Sequence, residues 1–390
     1  MEYFNKTFLT KHIGSILNFY EANVRDPKGG FHQNYHDDGS VFGLGDKHLV
    51  SSTRMVINYA IAWQLFADEK YRSLAQWGLD YVEQIHQLPE EAGYAWTIKD
   101  HQIDDKTQQA YGYAFVLLMY SRCFEYGVTD SNEGIYRLFT MLENTFWQAE
   151  YGLYADELKV NGELDDYRGQ NANMHICEAM IAAYSATKDL MFLERAKLIA
   201  DKICNQLAKQ TNGLIWEHYS KDFNPDWQYN KQDPKNLYRP WGFQPGHQTE
   251  WTKLLLLINH FAPETWLVER AQFLFDQAFT TAWDHKFGGL VYGFDPDKNW
   301  CDDDKYFWVQ AESFAAAALL HLVTDEDVYL ENYKSLWDYS WRNMIDHEYG
   351  AWYRVLQSDN QPYSAIKSEA GAKCDYHTIG ACFDVIKHLP

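Results

Sequence analysis

A histidine and a glutamate lie three residues apart at the predicted start of a helix, at His247 and Glu250. The preceding Pro245-Gly246 pair breaks regular structure, so a helix is expected to begin there with both side chains on one face. The apolar run 254–258 that follows requires burial. An imidazole beside a carboxylate at the mouth of a buried helix suits general acid–base chemistry on a small polar ligand. Taken alone, the pair is more typical of a surface histidine with a glutamate neighbour.

Polar residues recur near the start of each further apolar helical pattern, which favours the functional interpretation. These residues are Arg54, Tyr111, His175, Glu312 and His377. Each has a structural alternative, such as a surface arginine, a tyrosine at the rim of the core, or a hydrogen-bonded core histidine. Glu312 is the hardest to explain structurally, because an unpaired buried carboxylate is costly. Polar residues at equivalent places in all six repeats predict one shared cleft.

Metal ligation is the main alternative chemistry for these residues. Two H-x-x-E pairs occur, at His175–Glu178 and His247–Glu250, but di-metal carboxylate sites use the order E-x-x-H. The sequence contains neither an HExxH motif nor a cysteine ligand set. The aspartates at 302–304 are typical of helix capping. We therefore predict no metal and no other cofactor.

A glycine-containing segment recurs six times, with its shared glycines at spacings of 63, 59, 61, 76 and 61 residues: Gly30, Gly93, Gly152, Gly213, Gly289 and Gly350. Each segment alternates apolar and polar residues and ends in turn-forming residues, which predicts a short β-hairpin. The one long spacing contains 222–246, rich in Pro, Asn and Asp. This composition predicts a long loop leading into His247.

Each predicted hairpin lies between two helical patterns. The patterns before the hairpins are amphipathic: Glu2–Ala22, Asp68–Gln87, Thr129–Trp147, Asp189–Lys209, Pro263–Trp283 and Asp325–Met344. The patterns after them are more apolar on all sides, as in buried helices: Asp46–Phe66, Asp105–Tyr126, Gly169–Ala186, Gly246–Phe261, Asp303–Leu322 and Gly371–His388. Six repeats of outer helix, hairpin and inner helix predict an all-α fold. We expect an (α/α)6 barrel with short β-hairpins clustered at one end, and a single domain over residues 1–390.

Composition narrows the classes of partner. The formal net charge of −21 repels phosphate backbones and anionic lipid, so we expect neither a nucleic-acid nor a membrane partner. Aromatic residues make up 17% of the chain. Such residues usually pack in the core, and they also line carbohydrate clefts. The sequence shows no signal peptide, no apolar run approaching the length that spans a bilayer, and six scattered cysteines expected to be reduced. We expect a cytoplasmic protein with a neutral substrate; association into a homo-oligomer stays open.

Five segments carry a resemblance to a known family: KHLVSSTR (47–54), NANMHICEA (171–179), PGHQTEW (245–251), KYFWVQAE (305–312) and KCDYHTIG (373–380). In order and spacing across essentially the whole chain, they resemble the N-acylglucosamine 2-epimerase family. The resemblance implies an (α/α)6 barrel and chemistry without a metal. Members include sugar 2-epimerases and aldose–ketose isomerases. The KHLVSSTR segment and the chain length are most similar to the isomerases that act on mannose.

The resemblance also implies residue roles. Sugar hydroxyls would be held by five residues: Arg54, Tyr111, Asn171, Trp308 and Glu312. His175 would assist ring opening. His247 and His377 would be the general acid/base pair, with Glu250 orienting His247.

The chemistry expected of such a site is removal of the C2 proton of an open-chain sugar to give a cis-enediolate. Return of a proton to C1 gives the ketose, and return to the opposite face of C2 gives the epimer. We expect an isomerase interconverting D-mannose and D-fructose; the alternative is a 2-epimerase of the N-acetylglucosamine or cellobiose type. An inverting glycoside hydrolase could use Glu250 and Glu312 as its two carboxylates. A non-catalytic sugar-binding repeat protein is the remaining alternative. Neither of the last two explains the three histidines.

Overall fold

Twelve α-helices make up most of the regular structure in residues 2–89 and 92–390, which are the residues that the computed structural model describes. They are α1 Lys6–Glu21, α2 Leu49–Phe66, α3 Glu69–Tyr81, α4 Ala110–Glu125, α5 Glu133–Thr145, α6 Gln170–Thr187, α7 Leu190–Ala200, α8 Pro245–Phe261, α9 Thr265–Ala282, α10 Phe307–Thr324, α11 Asp327–Tyr339 and α12 Tyr376–His388. Each predicted helical span overlaps one of them, and α6, α8 and α10 extend beyond their predicted spans by one or two residues. Three outer helices continue as π-helical turns, at Val82–His86, Asp201–Leu207 and Ser340–Met344.

Short strands precede or separate the helices: β1 Tyr35–His36, β2 Asp46–His48, β3 Thr97–Lys99, β4 Gln102–Asp105, β5 Gln108–Gln109, β6 Trp147–Gln148, β7 Leu153–Tyr154, β8 Glu157–Leu158, β9 Arg168–Gly169, β10 His218–Tyr219, β11 Gly293–Phe294, β12 Trp300–Asp302, β13 Lys305–Tyr306, β14 Val355–Leu356 and β15 Ile366–Ser368. Antiparallel pairs form within a repeat, as in β3–β4 and β11–β12. The strand before an inner helix also pairs with the hairpin of the next repeat, in β2–β3, β5–β8 and β13–β14. The sequence pattern did not predict this second kind of pairing.

Contacts group the chain into two compact units. The first unit comprises Asn18–Ile199 and Ile366–Tyr376, and the second comprises Met1–Leu17, Ala200–Ala365 and His377–Pro390. In the first unit, α2 packs against α3 and α4, and α4 packs against α5 and α6. In the second, α8 packs against α9 and α10, and α10 packs against α11. Helices α2, α4, α8 and α10, which belong to the predicted inner set, thus each pack against at least two other helices. The assignment of residues 1–390 to one domain stays a prediction.

The repeated glycines have a conformational reason. Gly30 and Gly289 have φ values of +67° and +78°, which only glycine adopts at little cost. A Cβ atom at Gly289 would lie 2.5 Å from the ring of Tyr339, and one at Gly30 would lie 2.8 Å from the ring of Tyr81. The glycine therefore allows the hairpin to turn directly beneath an aromatic side chain at the end of the next outer helix.

Side-chain amides fix the hairpins to the inner helices. Gln248 of α8 accepts a hydrogen bond from the backbone N–H of Ile215 at 3.0 Å and donates one to its C=O at 2.8 Å. Gln310 of α10 bonds both backbone groups of Leu290 in the same way, at 2.9 and 2.8 Å. Each amide replaces a strand partner for an otherwise unpaired buried backbone segment. This contact fixes the position of a hairpin relative to the first turns of the helix below it.

Helix α10 is long and apolar enough to cross a membrane by length and composition alone. Its 18 residues have a mean hydropathy of 1.2, so the expectation that no apolar run approaches this length was wrong. Within the protein, 72% of this window is buried. Burial of this kind is typical of a core helix, and among the described residues no other helix meets the same criterion.

Candidate active site

His247 lies in the first turn of α8, which begins at Pro245, one residue before the predicted span. Its Nδ1 atom is 2.9 Å from Oε2 of Glu217, a residue of the preceding hairpin segment. Both side chains are buried. An ionised carboxylate only accepts hydrogen bonds, so Nδ1 donates and the lone pair of the neutral ring is on Nε2. The pair therefore orients His247 for proton transfer at Nε2.

His377 lies in the first turn of α12 and has the same kind of partner. Its Nδ1 atom is 2.7 Å from Oε1 of Glu312, whose side chain is 1% exposed. The second oxygen of Glu312 is 2.6 Å from Nζ of Lys253. Glu312 was predicted to hold a sugar hydroxyl, and the structure instead places it between an imidazole and an ammonium. The lone pair of neutral His377 is likewise on Nε2.

The indole of Trp308 contacts both imidazoles. Its ring centroid lies 5.0 Å from that of His247 and 5.8 Å from that of His377. Gly246 permits this arrangement, because a Cβ atom there would lie 2.4 Å from the indole. The two predicted acid/base groups and Trp308 are therefore brought together within the second unit.

Glu250 was predicted to orient His247, and the carboxylate bonded to Nδ1 of that ring is the one of Glu217. Glu250 is 1% exposed, and its carboxylate lies within 4.8 Å of the ligand atoms of Glu312 and His377. The reason is helical geometry: His247 at the N-terminal edge of α8 reaches the hairpin, whereas Glu250 lies almost one turn deeper. Glu217 thus holds Nδ1 of His247, and the orienting role of Glu250 stays a prediction.

Arg54 of α2 is buried in the first unit and surrounded by aromatic rings. Its guanidinium carbon lies 4.2 Å from the ring centroid of Phe115, 5.0 Å from that of Tyr376 and 5.8 Å from that of Tyr111. Its Nη2 atom donates a hydrogen bond to the hydroxyl of Tyr111 at 2.8 Å. These contacts hold a planar cation in a fixed orientation. The alternative of a surface arginine is therefore wrong.

His175 of α6 lies against the same aromatic group. Its ring centroid is 5.0 Å from that of Tyr111, and its Nδ1 atom is 2.9 Å from Oε2 of Glu178. The other oxygen of Glu178 accepts a hydrogen bond from the hydroxyl of Tyr376 at 2.6 Å. The H-x-x-E pair at 175–178 is thus an oriented imidazole, and Glu178 is a positioning residue that the sequence analysis considered only as a metal ligand.

Asn171 begins the same helix one turn before His175. Its Oδ1 atom is buried and makes no hydrogen bond with the residues that the structure describes. An amide oxygen of this kind can accept a hydrogen bond from a ligand hydroxyl. This observation agrees with the predicted role of Asn171, which nothing tests directly.

Two groups of the second unit contain enough ligand atoms for a cation: Glu250, Glu312 and His377, and Asp302, Asp303 and Asp304. In the first group, the Lys253 ammonium lies on Glu312. In the second, Nζ of Lys235 lies 3.1 to 3.4 Å from all three aspartates. A lysine thus supplies positive charge in both groups.

The family model for N-acylglucosamine 2-epimerase matches residues 29–381. The chain belongs to the N-acylglucosamine 2-epimerase family. Among relatives, a D-mannose isomerase of Marinomonas mediterranea is 48% identical over 387 residues, covering 99% of this chain and 98% of that protein. A D-mannose isomerase of Thermobifida fusca is 31% identical over 74% of this chain and 72% of its own length. A cellobiose 2-epimerase of Bacteroides fragilis is 23% identical over 94% of both chains.

Solved structures of the family agree. A D-mannose isomerase structure superposes with a TM-score of 0.98 at 48% identity, covering 100% of both chains. A cellobiose 2-epimerase from Bacillus thermoamylovorans gives a TM-score of 0.85 at 18% identity, over 99% of this chain and 100% of that one. A glycoside hydrolase family 76 α-mannanase from Bacteroides thetaiotaomicron shares the fold alone, with a TM-score of 0.63 at 10% identity over 97% and 95% of the two chains. The predicted all-α (α/α)6-barrel fold class and the sugar isomerase/epimerase enzyme class are confirmed.

Three residues with clear geometric roles in this epimerase-family chain were missed from the sequence: Glu217, Glu178 and Lys253. Glu217 lies in a hairpin, where the sequence analysis looked only for turn residues. Lys253 interrupts the apolar surface of α8 and is 2% exposed. The signal available for Lys253 was a lysine directly before the apolar run 254–258 of a helix expected to be buried.

Proposed function

We propose that this chain is an aldose–ketose isomerase that interconverts D-mannose and D-fructose through a cis-enediolate. The observation that carries the proposal is that His247 and His377 each have Nδ1 held by a buried glutamate, at 2.9 and 2.7 Å. Relatives named as D-mannose isomerases, at 48% and 31% identity, support the choice of sugar.

The reaction requires a base near neutrality. One imidazole accepts the C2 proton at Nε2 while the carbonyl oxygen on C1 gains a proton, which gives the enediol form of the intermediate. Delivery of a proton to C1 and removal of the proton from O2 then give the ketose, with no net change in protons. Histidine is suited to both transfers because its unperturbed pKa lies within the physiological range.

Trp308 supports this assignment because it contacts both rings. Its apolar face can pack against the C–H groups of a sugar while the imidazoles reach the reacting carbons. In the first unit, Arg54, Tyr111 and Asn171 keep their predicted role of holding sugar oxygens, and His175 keeps that of assisting ring opening. For Glu312 we propose positioning of His377 in place of hydroxyl binding.

A sugar 2-epimerase is the second candidate, since it uses the same intermediate and returns the proton to C2. Cellobiose 2-epimerases are relatives at 23% identity. An inverting glycoside hydrolase is disfavoured by geometry. Such enzymes hold two carboxyl groups roughly 6.5–9.5 Å apart to admit a water. The carboxylates of Glu250 and Glu312 approach within 4.8 Å, and both oxygens of Glu312 are engaged by side chains.

We also propose that the reaction proceeds without a metal, in the cytoplasm, on a free monosaccharide and without nucleic-acid or membrane partners. The lysine that pairs with carboxylates in each candidate cation group supports the first point. The net charge of −21 supports the absence of phosphate-rich partners. Whether copies associate into a homo-oligomer is decided by measuring the mass in solution.

The test is incubation of the chelator-treated protein with D-mannose, D-fructose, N-acetylglucosamine or cellobiose in D₂O, followed by NMR of the products. We expect fructose from mannose, with solvent deuterium incorporated at C1 of fructose or at C2 of the remaining mannose. A His321→Asn variant is the matched control, because His321 is a partly exposed residue near the C-terminal end of α10. Formation of a 2-epimer alone would replace the isomerase proposal with the second candidate. Absence of exchange with all four sugars, or activity only after a divalent ion is restored, would contradict the proposed chemistry.

A further inference from the structure

Lys253 is a charged residue in the most apolar part of α8, six residues after His247. It is 2% exposed, and its Nζ atom lies 2.6 Å from Oε2 of Glu312 and 3.5 Å from Oδ2 of Asp384. A buried ammonium is stable only when paired with carboxylates. Two ion pairs and one hydrogen bond thus connect Asp384, Lys253 and Glu312 to the imidazole of His377.

We propose that Lys253 is a positioning residue for the isomerisation, which fixes Glu312 against His377 and sets the pH range in which His377 exchanges protons. The inference rests on the proposed function for its catalytic meaning. The effect of Lys253 on the protonation of His377 can be measured without any sugar.

The orientation follows from the two oxygens of Glu312. Because Oε2 is held by Lys253, Oε1 is directed at Nδ1 of His377. Without the ammonium, the carboxylate could rotate about its terminal bond, and the tautomer of His377 would no longer be fixed. A lysine on α8 thereby controls a histidine on α12 through a glutamate on α10.

Two carboxylates lie close to His377, Glu312 from α10 and Glu250 from α8. Lys253 is the cation beside Glu312, and it also pairs with Asp384 further along α12. Tyr376, the neighbour of His377 in sequence, donates its hydroxyl to Glu178. Carboxylates favour the protonated imidazole, and Lys253 opposes them. Removing its charge should make His377 retain its proton to higher pH.

The experiment is an NMR titration of histidine-labelled protein, with the His377 signal identified by its loss in His377→Asn. In Lys253→Met we expect the titration midpoint of His377 to rise by about one pH unit. The pH at which kcat/KM for mannose is half-maximal on the acid side should rise by a similar amount, while KM changes little. Lys47→Met is the matched control, since Lys47 is a buried lysine paired with Asp26 at 2.8 Å; it should leave the midpoint unchanged.

A folded Lys253→Met protein with an unchanged His377 midpoint would overturn the inference, whatever its activity. If Lys253→Met alone does not fold, the same substitution is made together with Glu312→Gln, which removes both buried charges. In that background the effect of Lys253→Met on the midpoint should be much smaller than one unit, and an equally large shift would show that Lys253 does not act through Glu312. A shifted midpoint in a protein without isomerase activity would support the inference and contradict the proposed function.

Discussion

Oε2 of Glu217 lies 2.9 Å from Nδ1 of His247, although the two residues are 30 positions apart and belong to a hairpin and a helix. The pair repeats the relationship between Glu312 and His377, which are 65 positions apart. Two imidazoles of one unit are thus presented in the same tautomer by two buried carboxylates. The symmetry of this arrangement suits a reaction in which protons are removed and returned at neighbouring atoms.

Glu217→Gln should abolish most of the activity while preserving the fold. An amide can donate its N–H to Nδ1 of His247, which would move the ring proton to Nε2 and remove the lone pair from the reacting side. We expect kcat to fall by roughly 10²- to 10⁴-fold, the range found when a catalytic imidazole is lost or held in the wrong tautomer. Glu264→Gln, in the turn before α9, is the control and should keep full activity. Normal turnover in Glu217→Gln would show that this carboxylate does not set the tautomer.

The periodicity of apolar residues predicted all twelve helices and placed the candidate residues at the starts of the inner ones. It could do so because both signals are local: a 3.6-residue period and a breaker before the first turn. Which carboxylate bonds which histidine is not local. Glu250 is three residues from His247 in sequence and Glu217 is 30 residues away, and only the packing of the hairpin onto α8 selects Glu217.

The strand pairing shows the same limit. Each glycine-containing segment was recognisable as a hairpin, but the pairing of Lys47 with Ile98, and of Lys305 with Leu356, joins successive repeats. These contacts depend on how the repeats stack. The ion pairs of Lys253 could not be predicted either, because the sequence does not show that Glu312 and Asp384 lie beside it.

Arg54→Lys should lower kcat by about 10²- to 10³-fold, the cost of losing a fixed donor to developing oxygen charge. A lysine ammonium cannot reproduce the planar guanidinium that Phe115, Tyr376 and Tyr111 surround. The measurement is steady-state kinetics with mannose. Arg122→Lys is the control: Arg122 pairs with Glu125 at 2.6 Å near the end of α4, and its replacement should leave kcat unchanged. Near-normal kcat in Arg54→Lys would remove Arg54 from the proposed machinery.

Gly246→Ala should displace Trp308 and weaken sugar binding. The added Cβ would lie 2.4 Å from the indole, so the ring must move away from its contacts with both histidines. We expect KM for mannose to rise about tenfold, because apolar contact with the sugar face is lost. Gly380→Ala, in α12, is the matched control, since a Cβ there meets nothing within 4 Å. Equal KM values in the two variants would argue against Trp308 as a binding surface.

Acid should destabilise the first unit through His86. Burial lowers the pKa of this histidine to about 4, and the neutral ring accepts a hydrogen bond from Ser52 at 3.0 Å while Nδ1 donates to the carbonyl of Ala95 at 3.1 Å. Below about pH 6.5, His86 binds a proton in the unfolded chain but stays neutral in the folded chain. The free energy of unfolding therefore falls as the pH drops from about 6.5 to about 4. The contribution is on the order of 3 kcal/mol.

Urea unfolding followed between pH 4 and 7.5 tests this expectation. His86→Gln should reduce the dependence of the unfolding free energy on pH over that interval. His321→Gln, which replaces a partly exposed histidine, should reproduce the wild-type dependence. A His86→Gln protein with the wild-type slope would place the acid sensitivity elsewhere.

The last prediction separates the roles of His247 and His377. Replacing either by asparagine should reduce isomerisation of mannose by roughly 10²- to 10⁴-fold, the usual contribution of one general acid or base. The variants should differ in deuterium exchange from D₂O. Loss of the histidine that carries the C–H proton should abolish exchange at C1 and C2. Loss of the histidine that serves the oxygens should slow isomerisation and leave measurable exchange, because the carbon-bound proton can still be removed. Circular dichroism verifies that both proteins fold, and His321→Asn provides the unaffected reference. Wild-type rates in both variants would contradict the mechanism, whereas complete loss of exchange in both would mean that each imidazole is needed before the first proton leaves carbon.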